Sequence, residues 1–124
     1  MDALIIEETK GTPRVRFYPH GKLYFEGRSL PEDPSKFYTP ILKWIENCQA
    51  ENITLEMRIQ YMNTSSTKEM YTFFNKVTEN RCIKNANVIW YYEEGDDDNY
   101  NTGREFESMT KIPFHFHEYA EAME

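Results

Sequence analysis

Between Ile53 and Val77 the spacing of apolar residues changes from one period to another, and four consecutive hydroxyl residues mark the joint. Ile53, Leu55, Met57, Ile59 and Tyr61 alternate with Thr54, Glu56, Arg58 and Gln60, which is the pattern of a half-buried strand. Met70, Phe73, Phe74 and Val77 then recur at the spacing of one helix face. A strand that runs straight into an amphipathic helix belongs to an α/β fold. It also puts Thr64, Ser65, Ser66 and Thr67 beside backbone N–H groups that lack an intrahelical partner. An anion is tolerated there, including a phosphate carried on a hydroxyl. Ser66 and Glu69 spell a capping box, so Ser66 is expected to be the N-cap, with Thr64 and Ser65 outside the helix. Four hydroxyls exceed what one cap requires.

The same reading extends along the chain. Leu4–Glu7 forms a short first strand. Arg14–Phe17 and Lys22–Glu26 alternate around Pro19-His20-Gly21 as a hairpin. Gly27-Arg28-Ser29-Leu30-Pro31-Glu32-Asp33-Pro34 is a loop that ends in an N-cap, Asp33, and an N1 proline. The next helix carries Phe37, Ile41, Trp44, Ile45 and Cys48 on one stripe, and Pro40 predicts a kink or a restart capped by Thr39. A strand over Asn87–Tyr92, an acidic loop over Glu93–Asn99, a third helix capped by Asp98 or Asn99, and a last strand over Pro113–Glu118 complete the order β-β-β-α-β-α-β-α-β. The tail from Tyr119 is expected to be loose. The predicted architecture is one α/β domain over residues 1–124, with a mixed sheet and helices mainly on one face. Strands joined through helices should run parallel, which gathers the Gly27–Asp33, Asn63–Thr67 and Glu93–Asn99 segments at one sheet edge.

Composition narrows the function. The formal net charge of -7 disfavours nucleic acid and anionic membrane as main partners. No apolar run is long enough for a membrane helix, and Met1-Asp2-Ala3 lacks a basic leader, so a cytoplasmic protein is expected. Cys48 and Cys82 read as two buried thiols, with no disulfide and no zinc spacing. His115 and His117 share a strand face opposite Phe114 and Phe116, which an exposed face explains better than a metal site. Asp97-Asp98-Asn99 fails as an EF-hand loop because Thr102 and Ser108 stand where glycine and glutamate are needed. No nucleophile motif accompanies His20, His115 or His117, so no catalytic residue, cofactor or metal is assigned.

Several segments together resemble the SiaC family of bacterial phosphoproteins. They are Asn63-Thr64-Ser65-Ser66 followed by Lys68, Gly11-Thr12-Pro13, Gly27-x-Ser29-x-Pro31-Glu32-Asp33, Phe37-Tyr38-x-Pro40 with Trp44, Trp90-Tyr91-Tyr92, and Gly103-x-Glu105-Phe106. That family is distantly similar to the anti-sigma-factor antagonist SpoIIAA and its STAS fold. The resemblance implies a partner-switching adaptor without enzymatic activity. It implies phosphorylation by a histidine-kinase-like protein kinase, dephosphorylation by a PP2C-type phosphatase, and binding of a diguanylate cyclase by the unmodified form. The implied acceptor is Thr64, and a one-residue shift against the Asp-Ser-Ser-Gly of SpoIIAA-like proteins would make it Ser65. The expected partner-facing residues are Gly27, Ser29, Pro31 and Glu32 on the loop, and Asn63, Ser65, Thr67 and Lys68 around the acceptor. The alternative is a STAS-like domain that holds a small anion or nucleotide at the same helix N-terminus, and an enzyme with a hydroxyl nucleophile ranks last.

Overall fold

The computed structural model describes residues 1–120. Its elements are β1 (Leu4–Ile6), β2 (Arg14–Phe17), β3 (Lys22–Ser29), α1 (Pro34–Glu46), β4 (Asn52–Met62), α2 (Thr64–Glu79), β5 (Asn85–Glu93), α3 (Asp97–Thr110) and β6 (Phe114–Tyr119). This is the order read from the sequence. The six strands lie in the sheet in chain order. The β1–β2–β3 pairs are antiparallel, and the β3–β4–β5–β6 pairs are parallel. Each parallel pair is joined through a helix. Crossovers of one hand in a sheet that advances in one direction put all three helices on the same face.

Alternation decides which face that is. Val15, Phe17, Leu23, Phe25, Leu55, Met57, Val88 and Trp90 are buried, and they pack against Ile41, Ile45, Met70, Phe73, Phe74 and Phe106 of the helices. Aromatic rings dominate this layer. Phe17, Phe25 and Phe73 meet at centroid distances of 5.2–5.7 Å, and Phe74, Phe106, Trp90 and Phe114 continue the cluster. Gly103 lets α3 lie on this layer, because a Cβ there would meet the Trp90 and Phe116 rings at 2.8 Å. Among the described residues the opposite face carries the polar alternates and no helix.

Several expectations are corrected. Pro40 does not restart α1, which runs from its Asp33 cap as one helix. The carbonyl that loses its donor to Pro40 belongs to Lys36, an exposed residue. Thr39 does not cap, and its hydroxyl donates to the Ser35 carbonyl at 2.6 Å. The cap of α3 is Asp96, whose side chain accepts from the Asn99 amide at 3.0 Å, so Asp97 and Asp98 lie in the first turn. Tyr119 belongs to β6, and residues 121–124 of the expected loose tail lie outside the described residues.

Tyr61 also departs from its apparent phase. Gly27 pairs with Ile59 but Arg28 pairs with Tyr61, so Gln60 is an extra residue in β4. Gly27 takes φ 119°, a conformation that favours glycine at such a bulge. The bulge turns Tyr61 out of the buried series. It is 50% exposed, with the Arg28 guanidinium 5.4 Å from its ring centroid.

Cys48 is buried as expected, whereas Cys82 is exposed in the α2–β5 connection. A thiol reagent should therefore label one cysteine of the native chain quickly and the second only in denaturant. Peptide mapping should place the fast label on Cys82, and fast labelling of Cys48 would contradict the packing around α1.

Candidate functional site

The carboxyl ends of the parallel strands carry the starts of all three helices. Asn63 organises the middle one. Its backbone is extended at φ -78°, ψ 173°, and its Oδ1 accepts from the Ser66 amide at 2.9 Å. Asn63, not Ser66, is the N-cap of α2, and Thr64 and Ser65 are the first helical residues instead of lying outside it. The Asn63 carbonyl accepts from the Thr67 amide at 2.9 Å and the Thr67 hydroxyl at 3.0 Å. The Asn63 amide donates to the Ser29 carbonyl at 3.0 Å, which ties the start of α2 to the end of β3.

Ser66 has a different task. It is fully buried, as are Ser29 and Tyr38. The Ser66 hydroxyl donates to the Ser29 carbonyl at 2.9 Å, and the Ser29 hydroxyl donates to Ser66 Oγ at 2.8 Å. Ser29 has only one hydroxyl proton, so the 2.6 Å contact between Tyr38 Oη and Ser29 Oγ is a bond donated by tyrosine. Burial pushes the Tyr38 hydroxyl above the ordinary tyrosine range, against the opposite influence of its two serine neighbours, and it keeps its proton. The Ser29 carbonyl uses both acceptor positions, one for Asn63 and one for Ser66. β3, α1 and α2 are thus locked together by one satisfied hydroxyl network.

This network sorts the expected site residues. Thr64, Ser65 and Lys68 are exposed, Thr67 and Asn63 are half-buried, and Glu32 and Pro31 lie on the adjoining loop, exposed and half-buried. Ser29 is brought to the site, but from below. A hydroxyl with no exposed surface and two hydrogen bonds cannot also meet a partner, so its expected partner-facing role is corrected to positioning α2. Gly27 is likewise buried within β3, with the Glu8 carboxylate over the position a Cβ would take. Thr64 and Ser65 take no part in the network.

The electrostatics distinguish these two hydroxyls. Lys68 follows Thr64 by four residues and therefore shares its side of the helix. The residue four beyond Ser65 is Glu69, which repels a phosphate on that side. Both positions benefit from the positive end of the α2 dipole.

The third helix start closes the edge. Asn99 Nδ2 donates to the Ile59 carbonyl at 3.1 Å, and Trp90 Nε1 donates to the Asn99 carbonyl at 3.2 Å. A cavity of about 240 Å³ lies between β4 and α3, lined by Ile59, Tyr61, Met62, Asp96, Asp98 and Asn99 among others. Its two carboxylates make it a poor receptor for an anion. The histidines stand elsewhere. His115 and His117 occupy outward positions of β6, with His117 5.4 Å from the Tyr91 ring, and His20 stacks on Tyr18 in the β2–β3 turn.

Asn63 and the Ser29–Tyr38–Ser66 network are what reading from the sequence missed. Asn63 and Ser66 have the spacing of a cap and its third helical residue, a signal masked by the competing Ser66–Glu69 spacing. Asn63→Ala should cost about 0.5–2 kcal/mol, the usual value of such a cap. Urea denaturation measures it, and an unchanged midpoint would return the cap to another residue.

Residues 6–119 match the model of the SiaC family of regulatory phosphoproteins. The chain belongs to this family. An uncharacterized protein of Pseudomonas aeruginosa strain UCBPP-PA14 is 26% identical over 119 residues, covering 92% of this chain and 94% of that protein. The solved structure of SiaC of Pseudomonas aeruginosa superimposes with a TM-score of 0.83 at 24% identity, over 96% of this chain and all of the other. SiaC in the crystal structure of the diguanylate cyclase SiaD with its activator SiaC, also from Pseudomonas aeruginosa, gives 0.83 at 24% identity, over 94% of this chain and 99% of that one. These structures share the fold described above. Among the described residues no helix is long and apolar enough to cross a membrane.

Proposed function

We propose that this SiaC family member is a non-enzymatic phospho-switch of the cytoplasm that acts through Thr64. In its unmodified form it binds a protein effector of the diguanylate cyclase type. A protein kinase of the histidine-kinase-like ATPase type places a phosphate on Thr64, and a PP2C-type phosphatase removes it. ATP and metal belong to those two enzymes. The observation that carries this reading is the division of labour at the start of α2. Asn63 caps the helix and Ser66 is locked in the buried network, which leaves the exposed Thr64 hydroxyl without a structural task. The SiaC of Pseudomonas aeruginosa, seen in complex with the cyclase SiaD as its activator, supports the choice of effector.

The switch is electrostatic. A phosphate adds about -1.5 to -2 charges at neutral pH. The α2 dipole and Lys68 accommodate it within the free chain. A partner surface shaped for a neutral threonine meets desolvation and repulsion instead. Reversing the equilibrium from almost fully bound to almost fully free takes a differential affinity of about 5.5 kcal/mol, and a partial shift takes less. The anion-binding alternative is weaker, because the Asn63 side chain and carbonyl already occupy the amides of Ser66 and Thr67.

Calorimetry with the cognate cyclase tests the proposal. The unmodified chain should bind and the kinase-treated chain should not, with phosphatase treatment restoring binding. Equal binding by the two forms would overturn it.

A further inference from the structure

The cavity between β4 and α3 has one wall built by a departure from regular strand geometry. The extra residue Gln60 turns Tyr61 out of the core, and Tyr61 and Met62 line the cavity and lead directly into Asn63, the cap of α2. Bulges re-aim side chains in this way beside functional sites. The surroundings are fixed before a partner arrives. The Arg28 guanidinium, 5.4 Å from the Tyr61 ring centroid, lies outside the cavity and steadies the ring. Asn99 Nδ2, bonded to the Ile59 carbonyl at 3.1 Å, holds the start of α3 against the bulge.

The facing wall is anionic. Asp96 gives a carboxylate oxygen to the Asn99 amide as the α3 cap. Asp98 is exposed, and Thr102 bonds only its backbone carbonyl. The Glu93–Asn99 segment carries five of the chain's 21 acidic residues and no basic one, and it takes part in none of the ion pairs among the described residues. At about 240 Å³ the cavity is below the roughly 300–1,000 Å³ of small-molecule sites, which suits one long side chain.

We propose that an arginine of the protein effector inserts here, its guanidinium on the Asp98 carboxylate and its body against Tyr61 and Met62. A planar cation uses both walls, because it donates charge-assisted bonds to a carboxylate and stacks on an aromatic ring. Such aromatic and arginine contacts in partly enclosed pockets are the usual hot spots of interfaces. The inference rests on the phospho-switch reading and adds to it that the effector presents a basic surface to this edge. A phosphate on Thr64 does not repel a cation, so the cavity anchors the effector and the contact with the neutral threonine senses the switch.

Calorimetry of the full unmodified chain with the cognate cyclase, at low and high sodium chloride, tests this. Tyr61→Ala should weaken binding about tenfold or more, as loss of a hot-spot side chain does. Asp98→Lys should weaken it more than Asp98→Asn, and Asp98→Asn should flatten its decline with salt. Glu79→Lys, at the other end of α2, makes the same change in charge and should leave the affinity unchanged. Circular dichroism and urea midpoints check that each variant is folded. Parental affinity in Tyr61→Ala or Asp98→Lys, or tighter binding by Asp98→Lys, would overturn the anchor. The switch survives that failure if phosphorylation still abolishes binding. Loss of binding in Tyr61→Ala and Asp98→Lys, with equal binding by the phosphorylated and unmodified chains, would instead uphold the anchor and remove the switch.

Discussion

An aspartate moved along the hydroxyl run should separate the three consecutive positions sharply. Thr64→Asp and Ser65→Asp should match the parent in stability or exceed it by about 0.3–1 kcal/mol, because an acid in the first turn complements the helix dipole. Ser66→Asp should cost about 3–5 kcal/mol, the penalty of an uncompensated buried charge. Its carboxylate would face the Ser29 carbonyl oxygen in a site with no exposed surface. Ser66→Ala should lose about 1–2 kcal/mol, since the Ser29 carbonyl keeps its Asn63 amide and the Ser29 hydroxyl can turn toward Tyr38. Urea unfolding of the four proteins gives the order. A Ser66→Asp protein as stable as Thr64→Asp would mean that the buried network does not persist in solution. The wider point is that a folded chain can carry phosphate on Thr64 or Ser65 but not on Ser66.

Effector binding should fall by about tenfold or more in Thr64→Glu, equivalent to roughly 1.4 kcal/mol, and further in the phosphorylated chain. Glutamate brings one charge where phosphate brings about two, and it lacks the third oxygen. Glu32→Lys, on the loop beside the start of α2, should change the same affinity. His117→Ala, on the uncovered face, should not. Calorimetry reads the affinities and circular dichroism checks the fold. Unchanged affinity in both the Thr64→Glu and Glu32→Lys proteins, with the fold intact, would remove this edge as the interface.

Element order was legible because each element announces itself locally. The alternation of Leu23 and Phe25, the helical spacing of Met70, Phe73 and Phe74, and Asp33-Pro34 need no tertiary information. The gathering of the loops at one edge follows from β-α connectivity. What escaped depends on contacts between distant segments. Ser66 and Glu69 form a valid capping box on paper. Ser66 is instead drawn inward by Ser29, 37 residues earlier, and that leaves the cap to Asn63. Tyr61 continues the apolar alternation in the sequence, and only the pairing of β4 with β3 reveals the bulge at Gln60 that turns it outward. Cys82 reads like Cys48 in isolation but falls in a connection, not under a helix. The candidate acceptor was legible as a hydroxyl-rich helix start in which Ser66 is structurally used, whereas the nature of that use, a buried network and not a cap, was not.

The most direct test of the account is the position of the phosphate. The chain should be incubated with its cognate kinase and ATP, digested, and mapped by fragmentation mass spectrometry, beside Thr64→Ala and Ser65→Ala variants. A single phosphate on Thr64, retained in Ser65→Ala and lost in Thr64→Ala, is the expected result. Full labelling of Thr64→Ala, with the phosphate on Ser65 or Ser66, would contradict it.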